Sequence, residues 1–157
     1  MLKSSRHIGL TPLSNDALGL FNHHSTIKCL LKFWSHATQV QRPLRHWEVI
    51  QLGNCGSPIE TAEGWLVLTH GVGPMRTYSI GAMLLDLDDP SVVLGTLDQP
   101  LLAPLDSERD GYVPNVVYSC GSMRHEDTLI LPFGISDNYI GIATASISEV
   151  LAHLGRP

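Results

Sequence analysis

From Trp47 onward the sequence alternates short apolar runs with turn signals, and this rhythm limits the chain to an all-β body. The expected strands are Trp47–Leu52, Trp65–Thr69, Tyr78–Asp86, Val92–Gly95, Val116–Met123, Thr128–Phe133 and Tyr139–Ala145. Between them lie clusters such as Gly53–Pro58, Gly71–Arg76 and Asp88–Ser91, which are rich in the residues that close turns. Runs this short are strands rather than helices. One segment departs from the rule. Ser146 precedes Ile147, Val150, Leu151 and Leu154 at helical spacing, with Glu149 three residues after the serine. That is a capped amphipathic helix, expected over Ser146–Leu154.

The β body contains an internal echo. Leu66-Val-Leu-Thr-His-Gly-Val72 aligns with Leu129-Ile-Leu-Pro-Phe-Gly-Ile135. Each is followed by a loop and a strand that opens on tyrosine, Tyr78-Ser-Ile-Gly-Ala82 and Tyr139-Ile-Gly-Ile-Ala143. A sheet unit recurring at this period points to blades of a β-propeller or a related array, the alternative being two ordinary hairpins.

Charge divides the chain near residue 46. Residues 1–46 carry six Lys and Arg against Asp16 alone, a net +5, so the remainder carries −10 of the total −5. Residues 1–46 therefore read as a poorly defined basic segment, with a short helix expected at Ile27–Trp34, and residues 47–157 as the folded unit. An acidic body argues against nucleic acid as a partner. No apolar run approaches the roughly 18 residues of a membrane span, and no secretory leader is recognisable. Cys29, Cys55 and Cys120 are odd in number and irregularly spaced, which suggests reduced thiols and a cytoplasmic location.

Candidate chemistry follows from comparing the two copies. His70 stands where the second copy has Phe133, an ionisable ring at a strand end before a glycine-rich loop. It is either a hydrogen-bonded structural histidine or a donor to an anion or a sugar hydroxyl. Arg76 and Tyr78 follow in the loop, as an anion cradle or as solvated side chains. Asp137, in Ser136-Asp-Asn138, can accept hydrogen bonds from two sugar hydroxyls or simply close a turn. Glu60 and Glu63 precede the Trp65 strand; Glu60 is the better candidate base, with a solvated carboxylate as the alternative. Asp86-Leu-Asp88 before Pro90 reads as a turn rather than a metal site, and Cys55 has no base and orienter nearby in sequence.

Several strings together resemble glycoside hydrolase family 130. They are Gly64-Trp-Leu-Val-Leu-Thr-His-Gly-Val72, Tyr78-Ser-Ile-Gly-Ala-Met-Leu-Leu-Asp86, Gly111-Tyr-Val-Pro-Asn-Val-Val117, Cys120-Gly121, Phe133-Gly-Ile-Ser-Asp137 and Ile140-Gly-Ile-Ala-Thr-Ala145. The resemblance runs from about Trp47 to Leu154. It implies the later blades, about half, of a five-bladed β-propeller with a short C-terminal helix. It also implies transfer of a β-mannosyl group to inorganic phosphate, or to water in the hydrolases, with a β-mannoside or related oligosaccharide as substrate. Phosphate is the implied co-substrate, and no further cofactor is expected. By the same resemblance His70 belongs to the phosphate pocket and Asp137 contacts the sugar, with Tyr78, Tyr112 and Asn115 near the cavity.

Two departures qualify this. Ser79 stands where the family often has arginine, so Arg76 could serve phosphate only if its loop turns inward; otherwise Glu60 would be the base of a hydrolase. Members of the family are also much longer, and their general-acid aspartate lies in blades for which residues 1–46 are too short. The chain alone is therefore expected to be inactive. It would be a sugar-binding module, or a half-propeller completed by a second copy or by a separate N-terminal half.

Overall fold

A computed structural model describes residues 38–108 and 111–156; the helix expected at Ile27–Trp34 lies outside the described residues. Among the described residues ten strands form two antiparallel sheets. The first holds β1 (Gln51–Asn54), β2 (Ile59–Glu60), β3 (Trp65–Val72), β4 (Tyr78–Leu85) and β5 (Val93–Leu97). The second holds β6 (Val117–Tyr118), β7 (Met123–His125), β8 (Thr128–Ile135) and β9 (Tyr139–Ser146). Helix α1 (Ile147–Ala152) follows, and β10 (Leu154–Gly155) returns to the first sheet beside β5, pairing Leu154 with Leu97.

The internal echo is a structural repeat. β3 and β4 pair from Trp65↔Leu85 to Val72↔Tyr78, and β8 and β9 from Thr128↔Ser146 to Ile135↔Tyr139. Both hairpins are in the same register, and they differ in the length of the joining loop, Gly73–Thr77 against Ser136–Asn138. Alternate residues then share a face. Leu66, Leu68, Ile80, Ala82 and Leu84 of the first hairpin join Leu129, Leu131, Phe133, Ile135 and Ala143 of the second in one buried core, with Ile147 and Val150 from α1. Each leucine, isoleucine, valine or phenylalanine among them contributes about 1.5–3 kcal/mol when fully buried.

The strand before each hairpin is broken in two. β1 and β2 lie along the two ends of β3, with Asn54↔Thr69 and Ile59↔Leu66, and β6 and β7 lie the same way along β8, with Val117↔Ile135 and Met123↔Ile130. The strand expected over Val116–Met123 is therefore two short strands. The cause is a Cys-Gly-Ser turn present in both copies, at 55–57 and 120–122. The side chain one residue before each cysteine, Asn54 or Ser119, accepts a hydrogen bond from the glycine N–H two residues on, at 3.1 Å for Gly56 and 3.2 Å for Gly121. The two turns press together. Gly56 sits at φ +144°, and a Cβ on it would meet the Gly121 Cα at 2.6 Å, so no side chain fits there.

The strand expected over Trp47–Leu52 also differs. His46–Glu48 is a 3-10 turn, and the strand begins at Gln51. Glu48 is buried and its Oε1 accepts the backbone N–H groups of Leu44 (2.8 Å) and Arg45 (3.2 Å), which closes the turn. Arg45 in turn donates to Asp98 and Thr96 at the end of the first sheet. Trp47 then lies over the first sheet, where its ring fills the space that side chains at Gly71 and Gly81 would occupy. At the other end, the Ser146 Oγ accepts the Glu149 N–H (3.1 Å) as expected of a cap, and Asp127 accepts from the Ser146 and Ser148 hydroxyls. The helix stops at Ala152, short of the expected Leu154, because Leu154 and Gly155 pair with β5. No helix among the described residues is long and apolar enough to cross a membrane.

Candidate binding site

Three chain segments meet at the loop ends of the two hairpins. The first is the β3–β4 loop, where Gly73 N–H donates to the Thr77 carbonyl and Thr77 N–H to that of Pro74. The second is Val113–Val116, and the third is the β8–β9 loop. The middle segment is stitched to both others. Tyr78 N–H donates to the Asn115 carbonyl (2.9 Å), Ser136 N–H to that of Val116 (2.9 Å), and Val113 N–H to that of Ser136 (3.3 Å). The hydrogen bonding therefore holds the three segments at fixed separations.

Between them is a cavity of about 370 Å3, lined by Arg76, Tyr78, Asn115, Tyr118 and Asp137 among others. Four expected site residues, Arg76, Tyr78, Asn115 and Asp137, are thus brought together from three separate loops. Arg76 lines the cavity from an exposed position on its loop. The backbone here is strained. Six non-glycine residues among those described have left-handed φ, and four of them line this cavity: Met75 (59°), Arg76 (54°), Asn115 (63°) and Asp137 (54°). Ser136 (49°) adjoins the last, and the sixth, Glu126, is in the β7–β8 turn. Such conformations cost about 1–3 kcal/mol each and collect at functional sites.

His70 stands behind this cavity on β3. Its ring centroid is 5.3 Å from that of Tyr118 and 6.3 Å from that of Tyr78, both of which line the cavity. Gly53, its neighbour on β1, leaves it room: a Cβ there would lie 2.6 Å from the His70 Nε2. Burial lowers the His70 pKa below its ordinary value, opposed by a backbone hydrogen bond at Asn54, so the ring is neutral at pH 7 with one nitrogen as donor. Cys55 Sγ lies 3.9 Å from Nδ1, a Cys–His contact that the sequence did not foretell. Burial pushes that thiol up to about 12, so Cys55 is a protonated packing group and not a nucleophile at neutral pH.

The other expected residues lie apart. Tyr112 is 90% exposed and does not line the cavity. Glu60 pairs with Trp65 on β2, five residues along β3 from His70, or about 17 Å at the strand rise. Its carbonyl accepts a hydrogen bond from Arg124, and its carboxylate is not among the groups around the cavity. Glu63 is likewise exposed in the β2–β3 turn. Asp86 and Asp89 accept backbone N–H groups of their own turn, Asp88 and Asp89 for the first and Ser91 for the second. Tyr118 is the cavity residue that sequence reasoning missed. Aligning the two Cys-Gly-Ser turns sets Tyr118 opposite Gly53, and that exchange of the smallest residue for an aromatic one was the available signal.

Comparison with known proteins places the chain. The family model described as beta-1,4-mannooligosaccharide phosphorylase, of glycoside hydrolase family 130, matches residues 29–156. A 1,2-beta-oligomannan phosphorylase of Thermoanaerobacter sp. (strain X514) is 38% identical over 122 residues, 76% of this chain and 41% of that protein. A beta-1,4-mannooligosaccharide phosphorylase of Ruminococcus albus is 33% identical over 130 residues, 79% of this chain and 39% of that protein. The structure of beta-1,2-mannobiose phosphorylase from Listeria innocua with beta-1,2-mannobiose superposes with a TM-score of 0.67 at 38% identity, over 72% of this chain and 32% of that one. The chain thus spans about two fifths of the curated relatives it matches. The two sheets are blades of a five-bladed β-propeller, present here in part. This chain belongs to glycoside hydrolase family 130.

Proposed function

We propose that the cavity between the hairpin loops binds the mannosyl unit of a β-mannoside beside inorganic phosphate, as part of a mannoside phosphorylase. The observation that carries this reading is the convergence of Arg76, Tyr78, Asn115 and Asp137 from three strained loops on one cavity. A cationic fork at one side suits phosphate, and a carboxylate at the other suits a pair of sugar hydroxyls. Asp137 accepts from the sugar; Asn115 and Tyr78 supply further donors and acceptors. Arg76 holds phosphate, and His70 braces the Tyr78 and Tyr118 rings from behind. Tyr112 offers an exposed ring to the outer part of an oligosaccharide. Glu60 has no part in this reading. Unpaired Cys55 and Cys120 accord with a reducing cytoplasmic setting.

Phosphorolysis also needs a proton donor at the leaving oxygen. Asp137 is the one carboxylate among the residues lining the cavity, and its place here is on the sugar hydroxyls. The 157-residue chain alone is therefore expected to bind without turnover. Calorimetry with β-1,2- and β-1,4-mannobiose, with and without phosphate, tests the binding, and a mannose 1-phosphate assay tests the chemistry. Asp137→Asn keeps a residue that tolerates left-handed φ and removes the charged acceptor, so it should weaken sugar binding about 10- to 100-fold. Absence of binding for every ligand would overturn the site; turnover by the chain would overturn its assignment as binding without catalysis.

A further inference from the structure

Two tyrosines line the cavity, and they stand on different sides of it. Arg76 and Tyr78 line the cavity but not the groove beside it, whereas Tyr118 and Asp137 line both. Tyr118 is therefore the ring on the carboxylate side, and Tyr78 the ring on the guanidinium side. The strands explain the division. Tyr78 opens β4, just after Arg76, and Tyr118 lies on β6 opposite Gly134, shortly before Asp137.

What surrounds Tyr118 backs it on one side and leaves another side free. His70 packs against it with ring centroids 5.3 Å apart and planes inclined at 53°. Behind His70 lies buried Cys55, its Sγ 3.9 Å from Nδ1. Gly53 makes room for the imidazole, since a Cβ there would lie 2.6 Å from Nε2. The other flank is open. Residues paired across an antiparallel ladder share a face, and the partner of Tyr118 on β8 is a glycine with no side chain to cover the ring. A Cβ on Gly134 would meet nothing nearer than the Tyr118 carbonyl at 3.8 Å.

We propose that Tyr118 is the platform on which a C–H face of the mannosyl ring stacks while Asp137 takes its hydroxyls, with His70 as the residue that positions the platform. This rests on the reading of the cavity as the sugar site. A pyranose is amphipathic: hydroxyls crowd its rim, and axial C–H bonds leave apolar patches on its faces. Polar side chains alone would leave those patches uncovered. An aromatic face covers them, and its negative quadrupole attracts the slightly positive hydrogens. Asp137 then supplies direction and Tyr118 supplies contact area. A tyrosine has only two side-chain torsions to fix, and packing against His70 holds them before the sugar arrives.

Magnetic resonance on the full chain with β-1,2-mannobiose tests this. Protons held over an aromatic face shift upfield and lie close enough to the ring for cross-relaxation. With ring-labelled tyrosine, the Tyr118 signal is the one that Tyr118→Phe removes. In the wild type, upfield-shifted sugar C–H protons should show cross-peaks to that signal. Tyr118→Phe should keep the sugar shifts. Tyr118→Leu should lose them even at saturation and bind the sugar about tenfold more weakly, with phosphate affinity unchanged. His70→Ala frees the platform to turn and should cost about threefold in sugar affinity with smaller shifts, while His70→Phe, which keeps a ring behind Tyr118, should retain them. Saturable sugar binding without cross-peaks to Tyr118 in the wild type would overturn the stacking and leave the cavity reading standing, and that result needs no variant to fold. No saturable binding would overturn both. An equal loss of sugar and phosphate affinity in Tyr118→Leu would reduce the ring to a prop for the cavity wall, and full shifts in His70→Ala would overturn the bracing.

Discussion

His70→Phe puts into the first hairpin the residue that the second already carries at the equivalent position. The imidazole is half-buried against Tyr118 and Tyr78, and burial keeps it neutral by lowering its pKa. At pH 8 the exchange therefore removes no charge. The larger ring gains about 1 kcal/mol of apolar burial and meets the close approach of Gly53, where overpacking costs about 1–3 kcal/mol. The variant should be within about 2 kcal/mol of wild type, on the unfavourable side. The pH dependence is the sharper test. The unfolded chain takes up a proton at the ordinary histidine pKa of 6.5, and the folded chain only at a lower pH. Between those values the unfolded state binds more protons, so wild-type stability is full above 6.5 and falls as the pH drops toward the folded pKa. His70→Phe lacks this loss and should gain on wild type below pH 6.5. Urea unfolding followed by tryptophan fluorescence at pH 8 and at pH 5 measures the difference. A stability difference that is the same at both values would refute the assignment of His70 as a neutral, desolvated ring.

Three further outcomes are expected. Gly81→Ala brings a Cβ to 2.4 Å from the Trp47 ring and should cost about 1–3 kcal/mol, but little in a Trp47→Ala background; equal costs in both would show that the ring does not set the limit. Ser146→Ala removes the helix cap and should lower stability by about 1 kcal/mol in a denaturant titration, with Asp127→Ala similar in direction because it binds the same turn. Thiol labelling near pH 8 should modify exposed Cys120 quickly and Cys55 only on unfolding, since burial and a pKa near 12 both protect it; equal rates would contradict that picture.

The parts of the fold that sequence made legible are those in which one face and one period decide the structure. The β3–β4 and β8–β9 hairpins have period-2 apolar rows and a direct repeat, and both form in the same register. Ser146 and Glu149 announced the helix start by a local hydrogen bond. The strands Trp47–Leu52 and Val116–Met123 were misjudged because distant or turn-specific contacts decide them. Glu48 folds back onto the N–H groups of Leu44 and Arg45, and the Cys-Gly-Ser turns are dictated by one glycine backbone meeting another across the sheets. The site divides in the same way. Arg76, Tyr78, Asn115 and Asp137 fall in loops at one end of the repeat and meet there. Glu60 is near the site in chain order, but antiparallel pairing carries it to the opposite end of β3. Tyr118 was hidden inside a run that looked like plain strand.

The central claim is that the cavity between the hairpin loops holds the sugar. Titrating the labelled chain with β-1,2-mannobiose and phosphate, while following its backbone amide resonances, tests that claim at the level of residues. The account predicts saturable shifts at Arg76, Asn115, Tyr118 and Asp137, with Glu60 and the helix around Glu149 unmoved. Shifts confined to the groove between Leu101 and His153, or none at any residue, would contradict it.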